Sequence, residues 1–301
     1  MRGYVAPTDL AWFDFLSSQS GIDEVNFWRP SGAGFKALKV GEPFFFKLKA
    51  PRNAIGGFGF YARTDRLPLW LAWETFGVAN GGPDQSSLLR RVNANRSDAA
   101  LLSSHIGCIS LVGTRFFTPD EFVSVPGDWR GPIVAGKGYD LSSGEGLRLW
   151  RQCLERAGGV AAVEADATRF GAPRLVAPRL GQGSFRLAVY EAYDRACAVT
   201  GEHSLPVLEA AHIKPYSIGG AHDVSNGLPL RRDLHRLFDL GYVSFRPDLT
   251  FMVSDALQLE YDNGKAYYEM AGRPLRVPAR SDQQPDETHL AWHRETVYRG
   301  G

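Results

Sequence analysis

The sequence predicts an α+β protein of two domains. Its 301 residues suit two domains better than one, and an apolar fraction of 44% against 22% charged residues is typical of a folded chain. In the front half, Phe44, Phe46 and Leu48 recur at the two-residue period of a half-buried strand. In the back half, two short strands enclose a polar loop and precede a helix. These patterns predict a small curved sheet or barrel with attached helices at residues 1–140 and a smaller strand–loop–strand–helix unit behind it.

Composition limits the classes of partner and the cellular compartment that we expect. No run of about eighteen apolar residues occurs, so we expect no membrane span. The N-terminus lacks the charged-then-apolar pattern of a secretion signal. Cys108, Cys153 and Cys197 are far apart and form no CxxC pair, which argues against a disulfide framework or a thiolate zinc site and favours a cytoplasmic protein. A net charge of +1 neither favours nor excludes nucleic acid, because binding depends on where the cationic side chains lie.

Local patterns divide the chain further. A helix is predicted from Asp9 to Ser17. Gly57 and Gly59 alternate with phenylalanines along one strand, which leaves a bare face that another backbone or a ligand can approach. Residues 141–178 combine a helix with a linker rich in Ala, Gly and Pro. The second domain is therefore expected at 179–301.

The chemistry-bearing residues lie in this second domain. A short apolar strand ends at His212, a polar loop follows, and Asn226 leads into a second strand. The helix predicted over 230–240 places His235 and Asp239 four residues apart, so both lie on one helix face. Strand, loop, strand and helix thus bring His, Asn and His together in a ββα-metal layout.

Phosphodiester hydrolysis accounts for these residue types. The reaction needs a water molecule that loses a proton and a group that stabilises charge on the phosphate and the leaving oxygen. A neutral imidazole is a natural base near neutral pH, so His212 is the candidate base. His235 is the candidate ligand of one divalent metal ion, and Asn226 is the candidate group that orients the loop beside His212.

The segment resembles the HNH endonuclease family, in particular the subgroup fused to modified-base readers in bacterial restriction enzymes. The motifs LEAAHIKP and NGLPLRRDLHRLFDLGY carry the resemblance, with fourteen residues from His212 to Asn226 and nine more to His235. The likeness extends over about 179–255. It implies that His212 is the general base, Asn226 the loop-orienting residue and His235 a metal ligand.

One position departs from the family pattern. Many members carry a metal-binding Asp or His directly before the base, where this chain has Ala211. The missing ligand is expected to come from Asp239, one helical turn beyond His235, or from Glu209, which is also interpreted as an orienting group; for Asp239 a surface role is the alternative. An imidazole and a carboxylate together suit Mg²⁺ or Mn²⁺ first and Ni²⁺ or Zn²⁺ second.

Cationic side chains near the motif are candidates for contact with the DNA backbone, since guanidinium groups fit phosphate oxygens. For those on or beside the helix the alternative is a solvated helix face, and for Lys214 it is an exposed loop residue. For those before the motif, beside a Gly-rich turn, the alternatives are an anion-binding helix start and a purely structural turn. The candidate set is Lys214, Arg231, Arg232, Arg236, Arg179 and Arg186.

The front domain resembles the small β-barrel readers of the PUA-like group, which includes SRA, EVE and YTH domains. The segments NFWRPS, GEPFFFKL and GGFGFYA carry this resemblance. Such readers flip a base into an aromatic pocket, where stacking contributes about 1–3 kcal/mol per base. The candidate pocket residues are Trp28, Phe45, Tyr61 and Trp70, and ordinary core packing is the alternative for each.

These observations lead to a working hypothesis of a modification-dependent restriction endonuclease. The front domain is expected to recognise a modified cytosine in double-stranded DNA, and the HNH domain to hydrolyse a nearby strand. Because one HNH site cuts one strand, double-strand cleavage predicts a homodimer or two binding events. The alternatives are an HNH nickase that reads unmodified DNA and a non-cleaving DNA-binding module with a degenerate metal site, which Ala211 favours.

Overall fold

The structure, a computed structural model, describes residues 1–130, 133–158 and 181–300. It divides into two units, Met1–Ser184 and Phe185–Gly301. The expected domain start at residue 179 and most of the expected linker lie outside the described residues. Across the described ranges, no helix has the length and apolar character needed to cross a membrane.

The first unit is built around one mixed sheet. Its strands are β1 Arg2–Thr8, β2 Glu24–Arg29, β3 Pro43–Leu48, β4 Ala54–Pro68, β5 His105–Phe116, β6 Val123–Ser124 and β7 Lys137–Asp140. Its helices are α1 Leu10–Ser17, α2 Leu69–Phe76, α3 Gln85–Ala94 and α4 Gly144–Arg156, and α5 Gln182–Ala192 begins at its end. The expected first helix and the strand at Phe44–Leu48 are both present.

This sheet is open. Its strands follow the order β2-β5-β4-β3-β1-β7, with β6 paired to β4. β1 and β3 run parallel, and the other neighbours are antiparallel. Closure needs the edge strands β2 and β7 to pair, and no such pairing occurs among the described residues. The α+β class is therefore present, but the described part of the chain does not form the expected closed barrel.

Both faces of the sheet are covered. Phe44, Phe46 and Leu48 enter one core with Trp12 of α1, whose ring centre lies 5.4 Å from that of Phe46. Phe45 points into a second core. The expectation of a half-buried β3 is wrong, because all six of its residues are buried. The cause is α4, which supplies Trp150 to the second face, 6.0 Å from Phe45 between ring centres.

The glycine pattern in β4 reflects a close backbone approach. Gly57 has a φ of +155°, and a Cβ at this position would lie 2.0 Å from the carbonyl oxygen of Arg115 in β5. Any side chain here would collide with the neighbouring strand. The close approach at Gly57 therefore comes from the adjacent strand within the sheet rather than across the bare face of β4.

The second unit contains the predicted strand–loop–strand–helix. It comprises β8 Leu208–His212, β9 Gly227–Arg231, β10 Val243–Phe245, β11 Phe251–Val253, α6 Arg232–Asp239, α7 Ala256–Tyr261, α8 Lys265–Tyr268 and α9 Glu287–Thr296. β8 and β9 are antiparallel, with His212 opposite Gly227. Helix α6 begins at Arg232 rather than at residue 230, because Leu230 and Arg231 still pair with β8.

A buried histidine of α9 contacts both α6 and β10. His293 is 2% exposed and stacks on Phe238 of α6, with 3.7 Å between ring centres. Its Nε2 lies 3.0 Å from the carbonyl oxygen of Phe238, and its Nδ1 lies 2.9 Å from the hydroxyl oxygen of Ser244. A neutral ring satisfies both contacts, since Nε2–H donates to the carbonyl and Nδ1 accepts from the hydroxyl. Burial lowers the pKa of His293 to about 4.

We predict that acidification weakens the second unit through His293. The unfolded ring takes up a proton below its ordinary pKa of 6.5, whereas the folded ring resists it down to about 4. The contribution to the free energy of unfolding is complete above pH 6.5 and is lost as the pH falls through the folded pKa, on the order of 3 kcal/mol in total. Urea unfolding between pH 7 and pH 4 measures it.

The matched variants are His293→Leu and His203→Leu, because His203 is exposed in the same unit. His293→Leu is expected to be less stable at pH 7 and less sensitive to acid, whereas His203→Leu is expected to behave as the unaltered protein. Equal acid sensitivity in both variants contradicts the assignment.

Candidate active site

A buried amide holds the loop between β8 and β9. The side chain of Asn226 is fully buried, and its Oδ1 accepts the backbone N–H of Lys214 at 2.9 Å. Its Nδ2 donates to the carbonyl oxygens of Lys214 and Ala221, each at 2.9 Å. Gly220 leaves room for this contact, since a Cβ there would lie 1.9 Å from the Lys214 carbonyl oxygen. One side chain thus joins the start of the loop, just after His212, to its later part.

The His212 ring lies in an apolar, aromatic environment at the end of β8. It stacks on Phe185 with 4.1 Å between ring centres and an interplanar angle of 13°. Burial lowers the pKa of His212 to about 4, with smaller contributions from the charges of His222 and His235. The ring is therefore neutral throughout the neutral pH range, which is the form that a general base requires.

His222 is a neighbour of His212 that sequence reasoning missed. Its Nδ1 lies 2.9 Å from Nε2 of His212, and its ring stacks on Tyr216 with 4.4 Å between centres. In the sequence it has no partner at metal-ligand spacing and lies in a loop without periodicity. The available signal was its position three residues after Gly219, within a loop whose ends a hairpin must bring together.

His235 lies between two carboxylates. Its Nδ1 is 2.7 Å from Oε2 of Glu209 on β8, and its Nε2 is 3.5 Å from Oδ2 of Asp239, one turn later on α6. Burial raises the pKa of Asp239, and the positive charges of His235 and Arg236 oppose that rise. The hairpin and helix therefore gather an imidazole and two acidic groups at one place.

These groups fit a divalent cation, although the described residues contain no cluster of three or more His, Cys, Asp or Glu side chains arranged to hold a metal. The 3.5 Å between Nε2 of His235 and Oδ2 of Asp239 lets both atoms bind one ion at the usual bond lengths of about 2.0–2.2 Å. Two protein ligands suffice for an ion that keeps several waters. Glu209 contacts the other ring nitrogen, the arrangement that fixes a ligating histidine.

Ala211 lies directly before His212. It is fully buried and pairs with Leu228 in the hairpin. Alternation along β8 gives it the same side of the strand as Glu209. Its methyl group cannot bind a metal, so any ligand beyond His235 has to come from other residues.

The predicted cationic residues differ in their surroundings. Arg231 makes a two-pronged contact with Asp233, and Nε of Arg232 lies 3.2 Å from Glu209. Arg236 is exposed on α6. Arg186 donates to Tyr190 and to the Leu208 carbonyl oxygen, which is a structural contact. The ammonium group of Lys214 lies 5.9 Å from the centre of the Trp292 ring, and Arg179 lies outside the described residues.

The four aromatic candidates of the first unit are dispersed. Trp28 lines a cavity of about 350 Å³. Phe45 lies in the core beside Trp150, and Tyr61 packs 5.5 Å from Phe35 in the other core. Trp70 is half-buried on α2 and does not line this cavity.

Other side chains join Trp28 around this cavity. Aromatic rings and cationic groups form much of its wall, which includes Tyr4, Phe27, Arg29, Phe35, Phe44 and Lys49. The Trp28 indole N–H donates to the Asn80 carbonyl oxygen at 3.1 Å, which holds the ring in place.

Comparison with known proteins finds a family match for the segment that contains the β8–β9 hairpin and α6. A family model described as HNH endonuclease matches residues 197–246. No curated protein matches the chain. Among solved structures, a modification-dependent TagI restriction endonuclease is 16% identical, with 97% of this chain and 81% of that chain covered and a TM-score of 0.33. A ZmASCH mutant protein from Zymomonas mobilis is 9% identical, with 48% and 95% covered and a TM-score of 0.33.

Both structural scores are too low to support an inference about fold or activity. The family match includes β8, the loop that Asn226 holds, β9 and α6. Residues 197–246 are an HNH endonuclease domain.

Proposed function

We propose that this protein is a metal-dependent DNA endonuclease whose first unit recognises a modified base, a cytosine derivative. The observation that carries the nuclease assignment is the neutral ring of His212 at the end of β8 together with the His235–Asp239 pair on α6, the helix that directly follows the hairpin, within an HNH domain. A base and a cation-binding pair are the two chemical groups that phosphodiester hydrolysis needs, and here they lie on one hairpin and the helix after it.

Each residue of the site has its own role in this proposal. His212 accepts a proton from the attacking water molecule, and Asn226 holds the loop that carries His212 in place. His235 and Asp239 would hold a divalent ion, and Glu209 would fix the orientation of the His235 ring through its contact with Nδ1. When bound, the ion supplies Lewis-acid stabilisation of charge on the phosphate and the leaving oxygen.

The cavity beside Trp28 supports the reader assignment. Its volume of about 350 Å³ lies in the range of small-ligand sites, and aromatic rings form much of its wall. Arg29 and Lys49 add positive charge suited to a phosphate backbone. A base flipped out of a duplex needs an aromatic, partly polar pocket of this kind.

A non-cleaving DNA-binding module is the second candidate. Ala211 and the absence of a three-residue metal cluster among the described residues favour it. Cleavage assays separate the two candidates, since a binding module gives retarded DNA without product.

The first prediction concerns the base. With Mg²⁺ or Mn²⁺, the protein is expected to cut DNA, and His212→Ala is expected to lower the rate by about 10²–10⁴-fold, the usual contribution of a general base. A gel assay of nicked and linear plasmid measures this. His203→Ala, an exposed histidine in the same domain, serves as control. Two outcomes contradict the assignment. One is cleavage that persists in His212→Ala, and the other is a protein that cuts no DNA with any divalent ion.

The second prediction concerns the metal. Mn²⁺ binding, followed by electron paramagnetic resonance, is expected to be lost in His235→Ala and weakened in Asp239→Asn. Glu209→Gln is expected to weaken it by about 10–100-fold, because the ring loses its charged orienting partner. Asp233→Asn, on the same helix but paired with Arg231, is the control.

The size of the Glu209 effect carries further information. A loss in Glu209→Gln as large as that in His235→Ala makes Glu209 a ligand. Unchanged binding in Asp239→Asn removes Asp239 from the site.

The third prediction concerns the reader. On paired substrates with and without 5-modified cytosine, Trp28→Leu is expected to lower the preference for modified DNA by about tenfold, in line with the loss of one stacking contact. Trp70→Leu, outside the cavity, is the matched control. Cleavage by the unaltered protein that ignores modification refutes the reader role and leaves the nuclease role intact.

A further inference from the structure

His212 and His222 share a hydrogen bond whose direction matters. Nε2 of His212 lies 2.9 Å from Nδ1 of His222. A neutral imidazole carries one N–H donor and one lone-pair acceptor, so only one of the two facing nitrogens carries the proton. If that proton lies on His222, then His212 carries its own proton on Nδ1 and has no free lone pair for a water molecule. If it lies on His212, the Nδ1 lone pair of His212 is available.

The second ring nitrogen of His212, Nδ1, is available to a water molecule. Among the described residues, Nδ1 of His212 has no hydrogen-bond partner in the protein, and the ring is only partly buried. The face of this ring is covered by Phe185, which offers no hydrogen bond. A water molecule that gives up a proton to this ring therefore has Nδ1 as its acceptor.

The loop holds His222 firmly in this contact. Tyr216 stacks on its ring with an interplanar angle of 9°. Asn226 binds the carbonyl oxygen of Ala221, the residue directly before His222. The same amide that holds the loop beside His212 thus also positions the backbone that presents His222.

We propose that His222 is a positioning residue of this site: its Nδ1 accepts the Nε2–H of His212 and so keeps the Nδ1 lone pair of His212 free for the attacking water. The role rests on the proposed nuclease function. In the step, the water O–H bond breaks and its proton joins Nδ1 of His212. The electron pair left on oxygen forms the bond to phosphorus as the bond to the leaving oxygen breaks. The Nε2–H of the resulting imidazolium still donates to His222, which stabilises its charge.

Histidine ¹⁵N chemical shifts in the full-length, metal-free protein test the tautomer directly. We expect His212 as the Nε2–H form in the unaltered protein. In His222→Leu, which removes the acceptor, we expect a mixture of both tautomers. In His222→Asn, whose side-chain oxygen can accept the same proton, we expect the Nε2–H form to be restored. His203→Leu is the control, and thermal melting of each variant verifies that it is folded.

Single-turnover cleavage with Mg²⁺ gives the second readout. We expect His222→Leu to slow cleavage by about 10–100-fold with unchanged DNA binding, and His222→Asn to recover most of the rate. An Nδ1–H tautomer in the unaltered protein overturns the proposal, as does a tautomer or a rate that His222→Leu leaves unchanged. Absence of cleavage by the unaltered protein with every divalent ion refutes the nuclease function itself, whatever the tautomer. Cleavage together with the wrong tautomer refutes the role of His222 alone.

Discussion

The hydrogen bonds of the Asn226 side chain are the constraint on which the site depends. The loop between β8 and β9 is polar and has no secondary structure long enough to define its path. A buried amide that lost its partners would leave unsatisfied polar groups in an apolar setting, at about 1–3 kcal/mol each, so the loop is held against opening. Because the bonded groups lie just after His212 and just before His222, one side chain positions both rings.

The hairpin unit places two histidines in opposite environments. His212 lies against an aromatic ring and another imidazole, where desolvation keeps it neutral. His235 lies between Glu209 and Asp239, where negative charge surrounds it. The same residue type therefore has a neutral, aromatic environment at one position and an acidic environment at the other.

The first unit shows how a covered sheet can still present a cavity. Helices α1 and α4 cover opposite faces of the strand β3, and all three of its phenylalanines are buried in those two cores. The cavity beside Trp28 is bordered by residues of β1 and β2 and by Trp12 of α1. Aromatic abundance in the sequence therefore reflects core packing first, and a ligand-sized space only where that packing ends.

The sequence by itself determined the local elements and the HNH motif, because periodicity and the His–Asn–His spacing depend on neighbours along the chain. It predicted the α+β class, β3, α1 and the strand–loop–strand–helix order. Only the tertiary structure decided which surfaces meet. It covered the second face of β3, left the sheet open and separated Trp28 from Phe45. It also brought His222 to His212, because the path of an aperiodic loop is set by the side chain that binds it and not by the residues within it.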